Sequence, residues 1–260
     1  MNGVNKTLYI PLYGKACVSR KGLILQDQKA EEIWDAEGFP LKGKAKSKWL
    51  SYNMGMRSAV FDRWLEEAMA QLPDAVILHA GCGLDSRIER VGDRGHQWYD
   101  VDFPEVIGER KRYFSGTENY HMVASDIRNM DWLSQVDPRG GAIIVMEGVS
   151  MYLPMPELLE VLKQWKNYFG EVRILMDTYT VFAAKATKYK NPINEVGVTQ
   201  VYGFDDPRVL EEGTEILFCR EHDMTPRNLI GELPKREQGI FRALFAGRTA
   251  KKIYRLYEYR

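Results

Sequence analysis

The run Val76-Ile-Leu-His-Ala-Gly-Cys-Gly-Leu-Asp-Ser-Arg87 decides how this chain folds. Val76 to His79 is a short apolar run of the kind that forms a buried strand. In the turn Gly81-Cys82-Gly83, backbone can approach a ligand where a Cβ would clash. A helix opens after it. About twenty residues past the glycines, Trp98-Tyr-Asp-Val-Asp-Phe-Pro-Glu105 places Asp102 at the end of a second strand, where an acid reaches ribose hydroxyls. Strand, glycine turn, helix and strand-end acid make the layout of a site for a nucleotide-shaped cofactor. The dinucleotide fingerprint calls for a third glycine at position 86, where this chain has Ser86. A pyrophosphate needs that close helix approach, so the departure points to a cofactor without one.

Two further strand ends extend the pattern. Val123-Ala-Ser-Asp126-Ile127 puts an aspartate past a third strand, suited to an adenine amino group. Ile143-Ile-Val-Met-Glu147-Gly148-Val149 puts a glutamate past a fourth. Any one of these acids could be a loop acid or a helix cap. Four successive strand ends, each with a glycine turn or an acid, favour a nucleoside-type ligand, because open α/β sheets bind ligands at the carboxyl ends of their strands.

Around this core the text alternates. Strands are expected at 76–79, 97–100, 120–124, 142–146 and 172–176. Helices are expected at 84–90, 104–114, 130–136 and 156–169. Such alternation predicts a mostly parallel sheet covered on both faces. Ser51 to Gln71 reads as a long amphipathic helix ended by Pro73-Asp74. Met1 to Leu50 lacks a clear period and holds a short helix near 30–37 and a lysine-rich loop, Leu41-Lys-Gly-Lys-Ala-Lys-Ser-Lys48. From Thr178 to Gly213 the alternation breaks into aromatics and lysines. A strand at 215–219, a helix at 234–246 and a strand at 252–259 follow, and the last can close the sheet as an antiparallel hairpin. The expected organisation is one domain: an N-terminal helical cap and entry helix (1–72), a cofactor-binding core (73–178), a substrate-cap insertion (179–213) and a strand–helix–strand end (214–260).

Composition narrows the function. In 260 residues, 36 Lys and Arg balance 36 Asp and Glu. A nucleic-acid enzyme usually carries a basic excess, so no nucleic-acid partner is expected. No apolar stretch is long enough for a bilayer and the first residues have no leader core, so neither a membrane partner nor export is expected. Cys17, Cys82 and Cys219 show neither metal-ligand spacing nor a disulfide framework, so no metal is expected and a reducing cytoplasm is the natural location.

Taken together, Arg57-Ser-Ala-Val-Phe-Asp62, His79 to Arg87, Tyr99 to Ile107, Ser125-Asp-Ile127 and Met146-Glu-Gly-Val-Ser-Met-Tyr-Leu153 resemble the leucine carboxyl methyltransferase superfamily. The C-terminal third is closer to its tetracenomycin-type polyketide O-methyltransferase branch. The resemblance implies a Rossmann-like class I methyltransferase. Its sheet would have seven mostly parallel strands and an antiparallel closing strand, with cap segments at the N-terminus and after the fifth strand. It implies S-adenosylmethionine as cofactor and S-adenosylhomocysteine as product. Gly81 and Gly83 would cradle the methionine part, Asp102 the ribose, and Asp126 and Ile127 the adenine. Glu147 would sit near the cofactor. Arg57 would pair with the cofactor carboxylate, with Lys15 as a second N-terminal contact. For Arg57 the resemblance decides against a surface pair with Asp62, and a guanidinium fork does suit a carboxylate.

The expected activity is O-methylation of a carboxylate or phenol on a small aromatic or polyketide-like molecule. The donor is already activated, so the protein mainly aligns the reactants, which can supply roughly 7–11 kcal/mol. No catalytic residue is assigned: His79, His121 and His222 lie in or beside strands, and the lack of an evident base leans towards a carboxylate. Tyr152, Tyr179, Tyr189 and Tyr202 are candidate acceptor contacts, although each alone reads more readily as cap packing. The alternatives are a protein C-terminal carboxyl methyltransferase, a non-catalytic cofactor-binding regulatory domain and, more distantly, a nicotinamide oxidoreductase. Oligomeric state is open.

Overall fold

The protein is described by a computed structural model over residues 6–187 and 200–260. Seven strands form one sheet: β1 (Val76–Ala80), β2 (Trp98–Asp102), β3 (Tyr120–Ala124), β4 (Ala142–Met146), β5 (Val172–Tyr179), β6 (Phe218–Glu221) and β7 (Tyr254–Tyr259). Their spatial order is β3-β2-β1-β4-β5-β7-β6. The first five are parallel, and β7 runs antiparallel between β5 and β6. The order reverses between β1 and β4, which opens a crevice at their carboxyl ends.

The strands form where sequence dictates buried extended chain. All five residues of β1 and of β4 are buried, as strands covered on both faces must be. One face packs under α3 (Lys48–Gln71) through Phe61, Trp64, Leu65 and Ala68. The other packs under α6 (Met155–Phe169) through Leu158, Val161, Leu162 and Trp165. Between these lie α4 (Arg87–Val91) and α5 (Pro104–Arg110).

The N-terminal fifty residues are more ordered than their text suggests. They form α1 (Tyr9–Ser19), α2 (Gln28–Glu37) and a 3-10 turn at Gly43–Lys46 inside the lysine run. Helix α1 is buried at Tyr9, Ile10, Leu12, Lys15, Ala16 and Val18, on nearly every side, which erases the one-faced period expected of a surface helix. A third apolar cluster joins this cap to the C-terminal helices α8 (Arg227–Glu232) and α9 (Lys235–Phe245), through Val18, Tyr52, Met56, Ile230 and Phe241.

Several boundaries move for local reasons. The helix expected from residue 84 begins only at Arg87, because Gly83 has φ +54° and the loop continues to Ser86. The helix from Pro104 ends at Arg110. The segment at 130–136 is a 3-10 turn, Asp131–Gln135. The strand expected at 215–219 is shifted to Phe218–Glu221, since Glu215 has φ +58° and cannot extend. After β5 the chain makes α7 (Val181–Ala186), and Gly203 then bridges back to Tyr179. A short α10 (Gly247–Lys251) leads into β7.

Candidate active site

A cavity of about 410 Å³ lies at the crevice between β1 and β4, capped by the start of α1. Its size falls in the usual range for small-molecule sites, roughly 300–1,000 Å³. Lys15, Arg57, Gly81, Gly83, Asp102, Asp126, Ile127, Glu147, Tyr152 and Tyr179 all line it. Tyr202 does not. Its backbone N–H donates to the Met151 carbonyl at 2.8 Å, and its hydroxyl takes a hydrogen bond from exposed Gln200. Tyr189 lies outside the described residues.

The glycine turn is built by close approach. Gly81 has φ +65°, and a Cβ there would overlap Val149 Cγ2 on the loop after β4. Arg110, fully buried, donates to the carbonyls of Gly83 (3.1 Å) and Asp85 (2.7 Å) and so holds the turn from behind. Arg110 is itself paired with Asp100, which also accepts from Tyr120 (2.6 Å) and the Trp98 indole (2.8 Å).

Asp102 faces the cavity from the end of β2. It accepts the Gly83 N–H and the Phe103 N–H, both at 2.7 Å. Burial outweighs these bonds and pushes its carboxyl up to about 6. Asp126 stands at the end of β3, where burial raises its carboxyl but the hydrogen bonds and charge of Arg128 together outweigh burial and hold it below the ordinary range.

In the cavity wall and behind it, four cations and five acids form one largely buried network. Lys15 pairs with Asp85 at 3.0 Å. Arg90 pairs with Asp27, Asp62 and Asp85 at 2.6, 2.6 and 3.0 Å. Arg87 pairs with Asp62 at 2.7 Å and with Glu147 at closer range. Arg57 meets Glu147 and Asp177, each at 2.9 Å. Burial alone would neutralise Glu147, but Arg57 and Arg87 outweigh it and keep the carboxyl well below its usual range. Asp27 also caps α2 by accepting the Ala30 N–H, so the network ties the N-terminal cap to the strand ends.

Several of these partners depart from the simplest reading of the text. Arg57 does not pair with Asp62; it turns inward, and Asp62 serves Arg87 and Arg90 instead. Asp85 and Arg87 do pair, at 3.4 Å, as a structural contact beside the turn. His79 lies in the cavity wall with both ring nitrogens committed. Arg87 can only donate, so Nε2 accepts from it at 3.1 Å, and Nδ1 carries the proton that points to Asp100 at 3.1 Å. Burial lowers the His79 pKa. His121 meets Gln97, and His222 meets Glu258.

Asp177 and Tyr254 are among the residues at this site that escaped the sequence reading. Asp177 was visible as an acid inside the apolar run of β5. Tyr254 gave no signal, as one aromatic in an alternating strand. Among the described residues, no group of three or more His, Cys, Asp or Glu side chains is placed to hold a metal ion, and no helix is long and apolar enough to cross a membrane.

Residues 9–166 match the leucine carboxyl methyltransferase family. The chain belongs to the leucine carboxyl methyltransferase family. It is 30% identical over 216 residues to the tetracenomycin polyketide synthesis O-methyltransferase TcmP of Streptomyces glaucescens, covering 81% of this chain and 79% of that one. It is 25% identical to the S-adenosyl-L-methionine-dependent methyltransferase dpfgK of Gibberella zeae, covering 85% and 82%. Among solved structures, the magnesium protoporphyrin IX methyltransferase of Synechocystis PCC 6803 with bound SAH superposes with a TM-score of 0.53 at 14% identity, covering 89% of this chain and 92% of that one. At that identity the likeness shows the fold alone. With this family membership the chain is an S-adenosylmethionine-dependent methyltransferase, as the resemblance of its motifs implied.

The residues present fit that cofactor on the structure's own terms. Arg57 is 5% exposed, yet it lines the cavity with Nη2 making no hydrogen bond to any described residue. Asp102 offers a charged acceptor at the distance along the chain where ribose is read, and the close-packed glycine turn leaves the floor free of side chains.

Proposed function

We propose that this chain methylates an oxygen of a small, aromatic or polyketide-like acceptor, preferably a carboxylate. The observation that carries the reading is that the ends of β1, β2, β3 and β4 converge with Arg57 on one cavity. Bound S-adenosylmethionine would supply a methyl group already activated on a positively charged sulfur. Asp102 would accept the ribose hydroxyls, and Ile127, Phe103 and Val106 would offer the adenine an apolar slot beside Asp126. Arg57, with Lys15 nearby, would take the carboxylate. Gly81 and Gly83 would let the backbone lie against the methionine chain.

The side chains at the acceptor end position and exclude water rather than move protons. His79 has no free lone pair, and Glu147 is held ionised and weakly basic by two guanidinium groups. An acceptor that arrives ionised needs no base, which favours a carboxylate over a phenol. Tyr152 and Tyr179, with Leu50 and Met54, give the remaining wall an aromatic and apolar character suited to a flat acceptor. The reading includes a cytoplasmic protein working without nucleic acid or membrane.

A donor-labelled activity screen over aromatic carboxylates, phenols and peptide C-termini, read by mass spectrometry, tests it. Methyl transfer to small aromatic acids is the expected result. Transfer only to peptide C-termini would replace the acceptor class, and cofactor binding without transfer to any acceptor would make the domain regulatory.

A further inference from the structure

Arg57 reaches the cavity on a long side chain, and a guanidinium can present a fork only if something fixes its plane. Three groups do so. Nε donates to Glu147 Oε1 at 2.9 Å, and Nη1 donates both to Asp177 Oδ2 at 2.9 Å and to the Tyr254 hydroxyl at 2.8 Å. The Tyr254 hydroxyl in turn donates to Asp177 Oδ2 at 2.8 Å. A phenol has one proton, so the direction of this triangle is set: Arg57 gives to Tyr254, and Tyr254 gives to Asp177. Asp177 is pinned from its other oxygen by the Gly148 N–H at 2.7 Å. Gly148 has φ +74°, and a Cβ there would lie 3.7 Å from both Nη1 and Nη2, so a glycine keeps that edge of the guanidinium bare. The Tyr254 ring stands edge-on to Tyr179 at 5.0 Å, and both rings line the cavity.

We propose that Tyr254, brought to the site by the C-terminal strand, is a positioning residue whose hydroxyl aims the free edge of Arg57 at the cofactor's carboxylate. The inference rests on the reading that Arg57 takes that carboxylate. Without the hydroxyl, Asp177 and Glu147 still neutralise Arg57 and hold two of its nitrogens, but Nη1 loses one of its two acceptors and Asp177 one of its donors, so the plane is held less firmly and Nη2 loses part of its aim.

Two probes separate this role from a structural one. S-adenosylhomocysteine carries the carboxylate; 5′-methylthioadenosine carries the same nucleoside without the amino-acid part. Tyr254→Phe keeps the ring and its contact with Tyr179. Calorimetry is expected to show S-adenosylhomocysteine binding weakened about tenfold, the scale of one charge-assisted hydrogen bond, with methylthioadenosine binding unchanged within twofold. Equal weakening of both probes, or of neither, overturns the proposal. Arg57→Lys keeps the charge but not the fork and reports on the reading beneath. If it too weakens both probes alike, Arg57 does not hold the carboxylate. If it is selective while Tyr254→Phe is not, only the Tyr254 role falls.

Discussion

Replacing Asp102 by Asn should move stability and cofactor binding independently. In the folded chain burial lifts this carboxyl from 3.8 to about 6. Between about pH 4 and 6 the folded state therefore holds a proton that the unfolded state has released. The charge costs stability above about pH 6, and that cost fades as pH falls towards 4. Two pH units correspond to roughly 3 kcal/mol, less where the open cavity screens the charge. Asn removes this cost but turns an N–H towards either Gly83 or Phe103, both of which now donate to Asp102, and an unpaired buried donor costs about 1–3 kcal/mol. The two effects nearly cancel, so the stability of Asp102→Asn at pH 8 should lie within about 2 kcal/mol of wild type in urea denaturation. Binding has no such compensation. A carboxylate accepting two ribose hydroxyls forms hydrogen bonds of about 1.5–3 kcal/mol each, and Asn keeps one weaker acceptor, so S-adenosylhomocysteine should bind roughly 30- to 1,000-fold more weakly. Wild-type affinity should also fall about tenfold between pH 8 and pH 5 as Asp102 protonates, and the variant should lose that dependence. Binding by Asp102→Asn within threefold of wild type across this range, measured by calorimetry, would refute the ribose role.

Other perturbations test the scaffold. Gly81→Ala forces a Cβ into Val149 at a φ of +65° and should cost about 2–4 kcal/mol by urea titration, with Val149→Ala restoring only the packing share. A loss under about 0.5 kcal/mol would mean the turn is not tightly built. Arg87→Met strips a fully buried guanidinium from Asp62 and Glu147 and should cost about 3–5 kcal/mol, lowering Tm by about 10 °C in calorimetric scans. Glu237→Gln, which loses the charge that accepts from exposed Lys48 and from the hydroxyl of buried Tyr52, should cost no more than about 1 kcal/mol in the same assay; a larger drop would make that contact a true anchor of α9.

Much of the core was legible because its signals are local. An apolar run such as Ala142 to Met146 has few fates besides a buried strand, and the residue that follows it must lie at the sheet's carboxyl edge. The order of acids along the chain therefore translates directly into their order around the cavity. Helix α1 was illegible for the opposite reason: a helix buried on nearly all sides has no polar face to mark its period. The network behind the cavity was equally hidden. Arg57 reaches Asp177 across 120 residues and Tyr254 across 197, and no spacing rule connects an arginine on an entry helix to a tyrosine on the closing strand. The resemblance of the 57–62 segment to the family gave Arg57 a role, while the structure gives it its company.

The position of β7 between β5 and β6 has a consequence for how the molecule is made. Among the described strands, β6 has no sheet neighbour but β7, although it leaves the ribosome first. It must wait unpaired until the last strand threads in beside β5, more than seventy residues after β5 was synthesised. The parallel half can assemble from chain already in hand, whereas the wall bearing Tyr254 arrives only after β7 has been made. A nascent or clipped chain that lacks β7 would thus keep Asp102 and the glycine turn yet leave Arg57 without its third anchor.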